Sequence, residues 1–126
     1  MITLLFVMTR QLLSDSLIDI LARTGNYTCH SETIYSNAPI AARCYDASVV
    51  VIEIATSDTA ILQEKFSTFK KIRRAAPNCK LLVICSEDES ALQSAVIDAK
   101  RSRLIDDFVF INSGVDDLIA RIEALL

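Results

Sequence analysis

Glu53 is the residue whose type and position first suggest chemistry in this chain. It follows residues 49–52 (Val-Val-Val-Ile), an uninterrupted β-branched run that is typical of a central strand buried on both faces of a parallel sheet. The carboxyl ends of such strands form the edge at which open α/β folds place their functional groups. We therefore predict that the Glu53 carboxylate lies at this edge, where its chemistry depends on the groups beside it.

The other predicted strand ends offer little that could act with Glu53. They supply Met8 and Thr9, Cys85 and Ser86, and Ile111 and Asn112. Neither a second carboxylate nor a lysine is among them, so the paired groups used in general acid–base catalysis are missing. The sequence therefore predicts a regulatory domain and not an enzyme.

Two alternatives concern the same edge. A flavodoxin-like or nucleotide-binding domain needs small residues after the first strand so that backbone amides can approach phosphate, yet Gly25 and Gly114 lie elsewhere. That class is the weaker alternative. A thiol-responsive sensor stays open, because Cys85 would lie at this edge and Arg10 is the nearest cation that could favour its thiolate.

Composition limits the remaining possibilities. The 126 residues fit one domain with a single apolar core, and the net charge of −3 argues against a nucleic-acid surface. Four cysteines occur singly beside one histidine, His30, so we predict reduced, buried thiols and no zinc site. Charged residues interrupt the long apolar stretches and no signal-peptide pattern is present, so we expect cytoplasmic localisation without membrane contact.

Strand and helix patterns alternate along the whole chain. The predicted strands cover residues 2–8, 27–35, 49–53, 81–85 and 108–111. The helices between them are expected to begin at capping residues: Thr9, Ser36 or Asn37, one of residues 56–58, Ser86 with Glu89, and Ser113 with Asp116. Right-handed crossovers would then build a three-layer α/β/α sandwich around a five-stranded parallel sheet, with the polar strand 27–35 at an edge.

This arrangement resembles the flavodoxin-like receiver domain of two-component response regulators over the whole chain. The resemblance rests on the acid that ends the third strand and on residues 106–108 (Asp-Asp-Phe), which open the fifth. It is closest to receivers of the LuxR/NarL-type regulators, because residues 8–13 (Met-Thr-Arg-Gln-Leu-Leu) occupy the place of their Asp-Asp-His-Pro-Leu-Leu segment. Residues 1–126 are thus predicted to form a single receiver-like domain.

The resemblance also implies what is missing. In that family two acids and a phosphoacceptor Asp bind Mg²⁺, and a lysine pairs with the phosphoryl group. The corresponding positions here are Met8 and Thr9 for the acids, Glu53 for the phosphoacceptor, Ile111 for the lysine, Cys85 or Ser86 for the switch hydroxyl, and Phe108 for the switch aromatic. Phosphoryl transfer needs metal and ammonium to neutralise the transferring group. The resemblance therefore implies an atypical receiver, or pseudo-receiver, that takes no phosphate in a Mg²⁺-dependent way and needs no cofactor.

Regulation would then depend on partners. The resemblance implies a homodimer that controls an output domain, with DNA bound only by a C-terminal domain outside this chain. Residues 124–126 (Ala-Leu-Leu) continue the last helix without a cap, which leads us to expect such a domain after them. In the crevice we expect Arg10 to hold a partly solvated Glu53 carboxylate and so to imitate an occupied site.

Two basic clusters could also contact partners. Lys70, Lys71, Arg73 and Arg74 close a helix before Pro77, and we predict a solvated helix end there because cations favour the helix dipole. Lys100, Arg101 and Arg103 lie in a segment that is longer than in typical receivers. These three are candidates for contact with a partner domain or a second protomer, and a second solvated helix end is the alternative.

Overall fold

A computed structural model describes residues 2–8, 11–54, 59–85, 90–110 and 114–126 of the chain. Within these residues, five strands alternate with five α-helices. In chain order they are β1 (Ile2–Val7), α1 (Gln11–Ala22), β2 (Tyr27–Glu32), α2 (Ala38–Cys44), β3 (Val49–Ile54), α3 (Thr59–Ala75), β4 (Lys80–Cys85), α4 (Ser90–Arg101), β5 (Asp107–Phe110) and α5 (Val115–Leu125). A short 3₁₀ helix, Tyr35–Asn37, precedes α2.

The strands form one parallel sheet in the order β2-β1-β3-β4-β5. Every residue of the central strand β3 is buried, as its β-branched composition predicts. The polar strand β2 lies at an edge, also as predicted. The three-layer sandwich with a flavodoxin-like receiver topology is confirmed.

Two apolar cores cover the two faces of the sheet. Val50, Ile52 and Ile54 of β3 pack in the core that α2, α3 and α4 complete. Val49 and Val51 pack in the other core, which α1 and α5 complete. Apolar residues at helical spacing predict the inward faces of the helices, and most of these positions are buried: Leu17 and Leu21 of α1, Leu62, Phe69 and Ile72 of α3, Leu92, Val96 and Ala99 of α4, and Leu118 and Ile122 of α5. The prediction is wrong for Ile20 of α1, which is exposed because it lies at the border of the apolar stripe.

Some predicted element boundaries are wrong. β2 ends at Glu32 instead of residue 35, because the Glu32 carboxylate accepts hydrogen bonds from the backbone N–H groups of Thr33, at 3.0 Å, and Ile34, at 3.5 Å. The chain turns there. The N-cap of α5 is Gly114, with φ 92° and no side-chain cap, so the predicted cap by Ser113 with Asp116 is wrong. Of the predicted alternatives Ser36 and Asn37, Asn37 is the N-cap of α2, without a side-chain cap hydrogen bond. The capping predictions at Thr9, at residues 56–58, and at Ser86 with Glu89 lie outside the described residues.

The side chain of Arg73 joins α3 to two other segments of the chain. Its Nε donates to the Leu104 carbonyl at 3.1 Å, Nη1 donates to the Cys79 carbonyl at 3.0 Å, and Nη2 lies 2.6 Å from Asp106 Oδ2. The same carboxylate oxygen accepts the backbone N–H of Leu81 at 2.7 Å. Arg73 is therefore part of a half-buried network, and the prediction of a solvated helix end is wrong for this residue.

The remaining cations of that cluster agree with the prediction, since Lys70, Lys71 and Arg74 are exposed. They lie on the solvent side of the last turns of α3. No helix in the described part of the chain has the length and apolar character needed to cross a membrane.

We predict that Arg73→Ala destabilises the domain by about 1–3 kcal/mol, because it leaves a half-buried carboxylate and two backbone carbonyls without their donor. Arg73→Lys should recover only part of this, since an ammonium cannot reach three acceptors in a fork. Urea unfolding followed by circular dichroism measures the change. The matched control is Arg74→Ala, which should stay within about 0.5 kcal/mol of the parent. Equal midpoints for Arg73→Ala and Arg74→Ala would contradict the role given to Arg73.

Candidate functional site

The candidate site is the carboxyl edge of the sheet, which we call the crevice. Met8 follows β1 there, Glu53 and Ile54 end β3, Cys85 ends β4, and Phe110 ends β5. Five further residues predicted for this edge, Thr9, Arg10, Ser86, Ile111 and Asn112, lie outside the described residues. The expected ion pair between Arg10 and Glu53 therefore stays a prediction.

Glu53 is more deeply placed than predicted. It is the second-last residue of β3, it lies opposite Ile84 of β4, and it is 2% exposed. Alternation along β3 puts its side chain on the face that carries Val49 and Val51, under α1 and α5. The expectation of a partly solvated carboxylate is wrong, because Ile54 continues the strand beyond it and helices cover this face of the sheet. A carboxylate so buried depends on polar partners to offset its lost hydration.

A second buried polar group lies on α1, and sequence analysis missed it. Ser14 is 2% exposed, and its hydroxyl has no hydrogen-bond partner among the described residues. It precedes Leu17 and Leu21 by three and seven positions, so all three lie on the helix face that packs on the sheet. Ser14 and Glu53 are the polar side chains that the described part of the chain buries. The same three-and-seven spacing is the sequence signal that could have identified Ser14.

Tyr35 connects the loop after β2 to the crevice. Its hydroxyl donates a hydrogen bond to the backbone carbonyl of Glu53, and its ring lies under Lys65, whose Nζ is 3.2 Å from the ring centroid. This is the geometry of a cation–π interaction. Burial lowers the pKa of Lys65, and the nearby Glu64 opposes that shift. The contact holds three segments together: the 3₁₀ helix, the end of β3, and α3.

Sequence analysis missed this contact as well. Tyr35 was assigned to a longer strand, and no local pattern relates it to Glu53, 18 residues later, or to Lys65. The alternation of strands and helices could at most indicate that the loop after β2 and the end of β3 share one edge of the sheet. Lys65 of α3 thus places its ammonium group beside the described part of the crevice, above the ring of the tyrosine that supports the Glu53 backbone.

The cysteines only partly follow the prediction of buried thiols. All four are free, and Cys79 and Cys85 are buried, whereas Cys44 is exposed and Cys29 is half-buried. Burial raises the pKa of the Cys29 and Cys79 thiols, which favours the unreactive form. Cys85 is 1% exposed, and its Sγ lies 3.8 Å from the Val109 carbonyl. A thiol sensor at Cys85 is thus poorly supported, because oxidants need access to the sulfur.

Phe108, the predicted switch aromatic, is half-buried on β5. Its ring packs edge-on against Phe110, with ring centroids 5.8 Å apart, and Lys100 Nζ lies 5.7 Å from the Phe108 centroid. Lys100 also forms an ion pair with Asp107 at 3.0 Å, and Arg121 of α5 lies 3.1 Å from the same carboxylate. Lys100 is therefore engaged within the domain.

The Asp107 carboxylate shows the effect of these cations. Burial favours its neutral form, but hydrogen bonds from Lys100, the Phe108 amide and Arg121 outweigh burial and lower its pKa. The three candidate interaction residues are consequently not equivalent. Lys100 pairs with Asp107, Arg101 is exposed at the end of α4, and Arg103 lies in the turn that follows.

The described residues restrict the chemistry of the crevice. Met8 is 1% exposed and presents a thioether, which is a poor ligand for Mg²⁺. No group of three His, Cys, Asp or Glu side chains within the described ranges could hold a metal ion. What the geometry provides is one buried carboxylate whose backbone is fixed by Tyr35.

Solved structures share this fold at low sequence identity. A DNA-binding response regulator of the LuxR family from Staphylococcus aureus matches with a TM-score of 0.77 and 13% identity, over 99% of this chain and 98% of that one. A CheY-like protein from Pseudomonas aeruginosa matches with a TM-score of 0.73 and 16% identity, over the full length of both chains. An adenylate cyclase from Rhodopirellula baltica matches with a TM-score of 0.81 and 17% identity, over 98% of this chain and 85% of that one. No protein-family model and no curated protein matches the sequence.

We predict that Tyr35→Phe destabilises the domain by about 0.5–1.5 kcal/mol, because the Glu53 carbonyl loses its hydroxyl donor while the ring stays beneath Lys65. The amide signals of Glu53 and Ile54 should shift in ¹H–¹⁵N spectra, since that carbonyl lies between them. Tyr45→Phe is the control: Tyr45 is exposed and stacks on His30, and its loss of a hydroxyl should leave both measurements unchanged. Identical behaviour of the two variants would show that the Tyr35 hydroxyl does not support the crevice.

Proposed function

We propose that this chain is an atypical receiver domain that regulates an attached output domain without Mg²⁺-dependent phosphorylation. The observation that carries the proposal is the burial of Glu53 within a receiver fold: at 2% exposure, the acid at the phosphoacceptor position has little access to a phosphodonor. A side chain one methylene longer than Asp also displaces the carboxylate from the position of the usual nucleophile.

Loss of the neutralising groups supports the same conclusion. A transferring phosphoryl group needs a metal ion and a cation to offset its charge. The sequence places Met8 and Thr9 where a receiver has its acids, and Ile111 where it has its lysine. Met8 is buried, so it adds apolar surface to the crevice and no oxygen ligand. Lys65 lies over Tyr35, so its charge is already directed at an aromatic ring.

Without phosphate, the state of the domain must be set by association. We propose a homodimer that positions an output domain following Leu126, with DNA contact made by that domain. The similarity to a LuxR-family structure described as a DNA-binding response regulator supports this type of output. The candidate dimer faces are α1 with α5, and α4 with β5. Each face has an exposed isoleucine: Ile20 on α1 in the first face, and Ile97 on α4 in the second.

We predict that acetyl phosphate or beryllofluoride, each with Mg²⁺, leaves the ¹H–¹⁵N spectrum of the domain unchanged, because Met8, Thr9 and Ile111 stand where a receiver has the acids and the lysine that bind and neutralise phosphate. A phosphorylatable receiver treated in parallel shows that the reagents are active. Shifts around Glu53 that saturate with the donor and require the metal would refute phosphorylation independence.

We also predict that the domain sediments as a dimer in equilibrium with monomer at micromolar concentrations. Ile20→Glu and Ile97→Glu test the two faces separately, since each places one charge on one candidate surface while changing the net charge equally. One variant should sediment as a monomer while the other retains the parental equilibrium. A parent that stays monomeric to high micromolar concentration would exclude dimerisation by this domain alone.

A further inference from the structure

Two basic clusters that are distant in sequence line one groove of the folded chain. The groove is a shallow, open depression of about 580 Å³ between the last turns of α3 and the turn that joins α4 to β5. Its lining residues are Lys70, Arg73, Arg74, Ser102, Arg103 and Leu104. We call it the basic groove. It lies toward the amino edge of the sheet, where β4 and β5 begin, and is therefore separate from the crevice.

The side chain of Arg73 holds the two sides of this groove together, so its guanidinium is already bound within the domain. Its guanidinium binds the Leu104 carbonyl and the Asp106 carboxylate, which holds the α4–β5 turn against α3. The three other cations of the groove, Lys70, Arg74 and Arg103, are exposed and form no ion pair with another described residue. Other exposed cations of the described chain, such as Lys71 and Arg101, are also unpaired, but these three line the same depression. The basic groove thus concentrates unneutralised positive charge on a domain whose net charge is −3.

The backbone of Arg103 forms the C-terminal cap of α4. Its φ is 63°, in the left-handed region that residues with a Cβ seldom adopt. The Arg103 N–H donates to the Lys100 carbonyl at 3.1 Å and the Leu104 N–H to the Ala99 carbonyl at 2.9 Å, which is the usual left-handed helix ending. Asp46, with φ 52°, ends α2 in the same way. The cap therefore fixes the backbone at Arg103, where glycine would be the favoured residue.

We propose that the basic groove binds an acidic segment of a partner protein. Carboxylates match the forked donors of Arg74 and Arg103, and Leu104 offers an apolar contact between them. Nucleic acid fits less well, because three free cations are fewer than the roughly six to ten phosphate contacts of typical DNA-binding surfaces. The net negative charge of the domain also opposes the approach of a long polyanion. This binding site is independent of the receiver function proposed above.

The test uses the ¹⁵N-labelled domain and an acetylated hexapeptide that alternates glutamate with leucine. We expect saturable shifts confined to the amides of residues 70–74 and 102–105. The variant Lys70→Glu/Arg103→Glu should bind the peptide about tenfold more weakly, because two attractive charges become repulsive. The matched control is Lys71→Glu/Arg101→Glu, which makes the same change in net charge with neighbouring exposed residues outside the groove lining. It should keep at least half of the parental affinity.

Arg103→Gly separates charge from backbone strain. Glycine adopts the φ of this turn without a steric penalty, so the variant should fold with an unchanged or higher melting temperature and still lose affinity for the peptide. The proposal is overturned if the two double variants weaken binding equally, if the parent shows no saturable shifts up to millimolar peptide, or if Arg103→Gly binds as tightly as the parent. Tighter binding of a DNA duplex than of the peptide at the same residues would also overturn it, in favour of nucleic acid.

Discussion

The ion pair between Arg73 and Asp106 is the interaction on which the arrangement of α3, β4 and β5 depends. One guanidinium satisfies three acceptors from two segments, and the same Asp106 oxygen accepts the amide of Leu81. Because both side chains are mostly buried, each depends on the other to offset its lost hydration. Their pairing therefore places the start of β5 beside β4 and the α4–β5 turn beside α3.

At the opposite edge of the sheet, burial and a backbone hydrogen bond position the described residues. Glu53 lies beneath helices at the end of β3, and the Tyr35 hydroxyl binds its backbone carbonyl. A buried acid with a fixed backbone is suited to hold one conformation, whereas a phosphorylation switch needs an accessible carboxylate and exchangeable ligands. This physical difference is the basis for proposing that the domain acts through association with partners.

Charge is distributed differently at the two edges, and this gives the domain two separable surfaces. In the crevice the described acid Glu53 is buried, while in the basic groove Lys70, Arg74 and Arg103 are exposed and form no ion pair with another described residue. Arg73 links the groove to the stability of the domain, because its side chain holds the α4–β5 turn against α3. The three cations beside it, Lys70, Arg74 and Arg103, are not used in that contact. A partner bound in the groove would therefore contact the segment that positions β5 without entering the crevice.

The sequence by itself determined the order of strands and helices, the buried central strand β3, the polar edge strand β2 and the inward faces of the helices. These features depend on periodicities of two and 3.6 residues, which are local and can be read from neighbouring positions. Only the tertiary structure decided that Arg73 binds Asp106, 33 residues later, that Tyr35 supports Glu53, that Glu53 is buried, and that two basic clusters share a groove. Local periodicity states which face of an element is apolar, but not which loops meet at an edge of the sheet. Which loops lie together depends on how the crossover connections pack on the sheet, and that packing involves the whole chain.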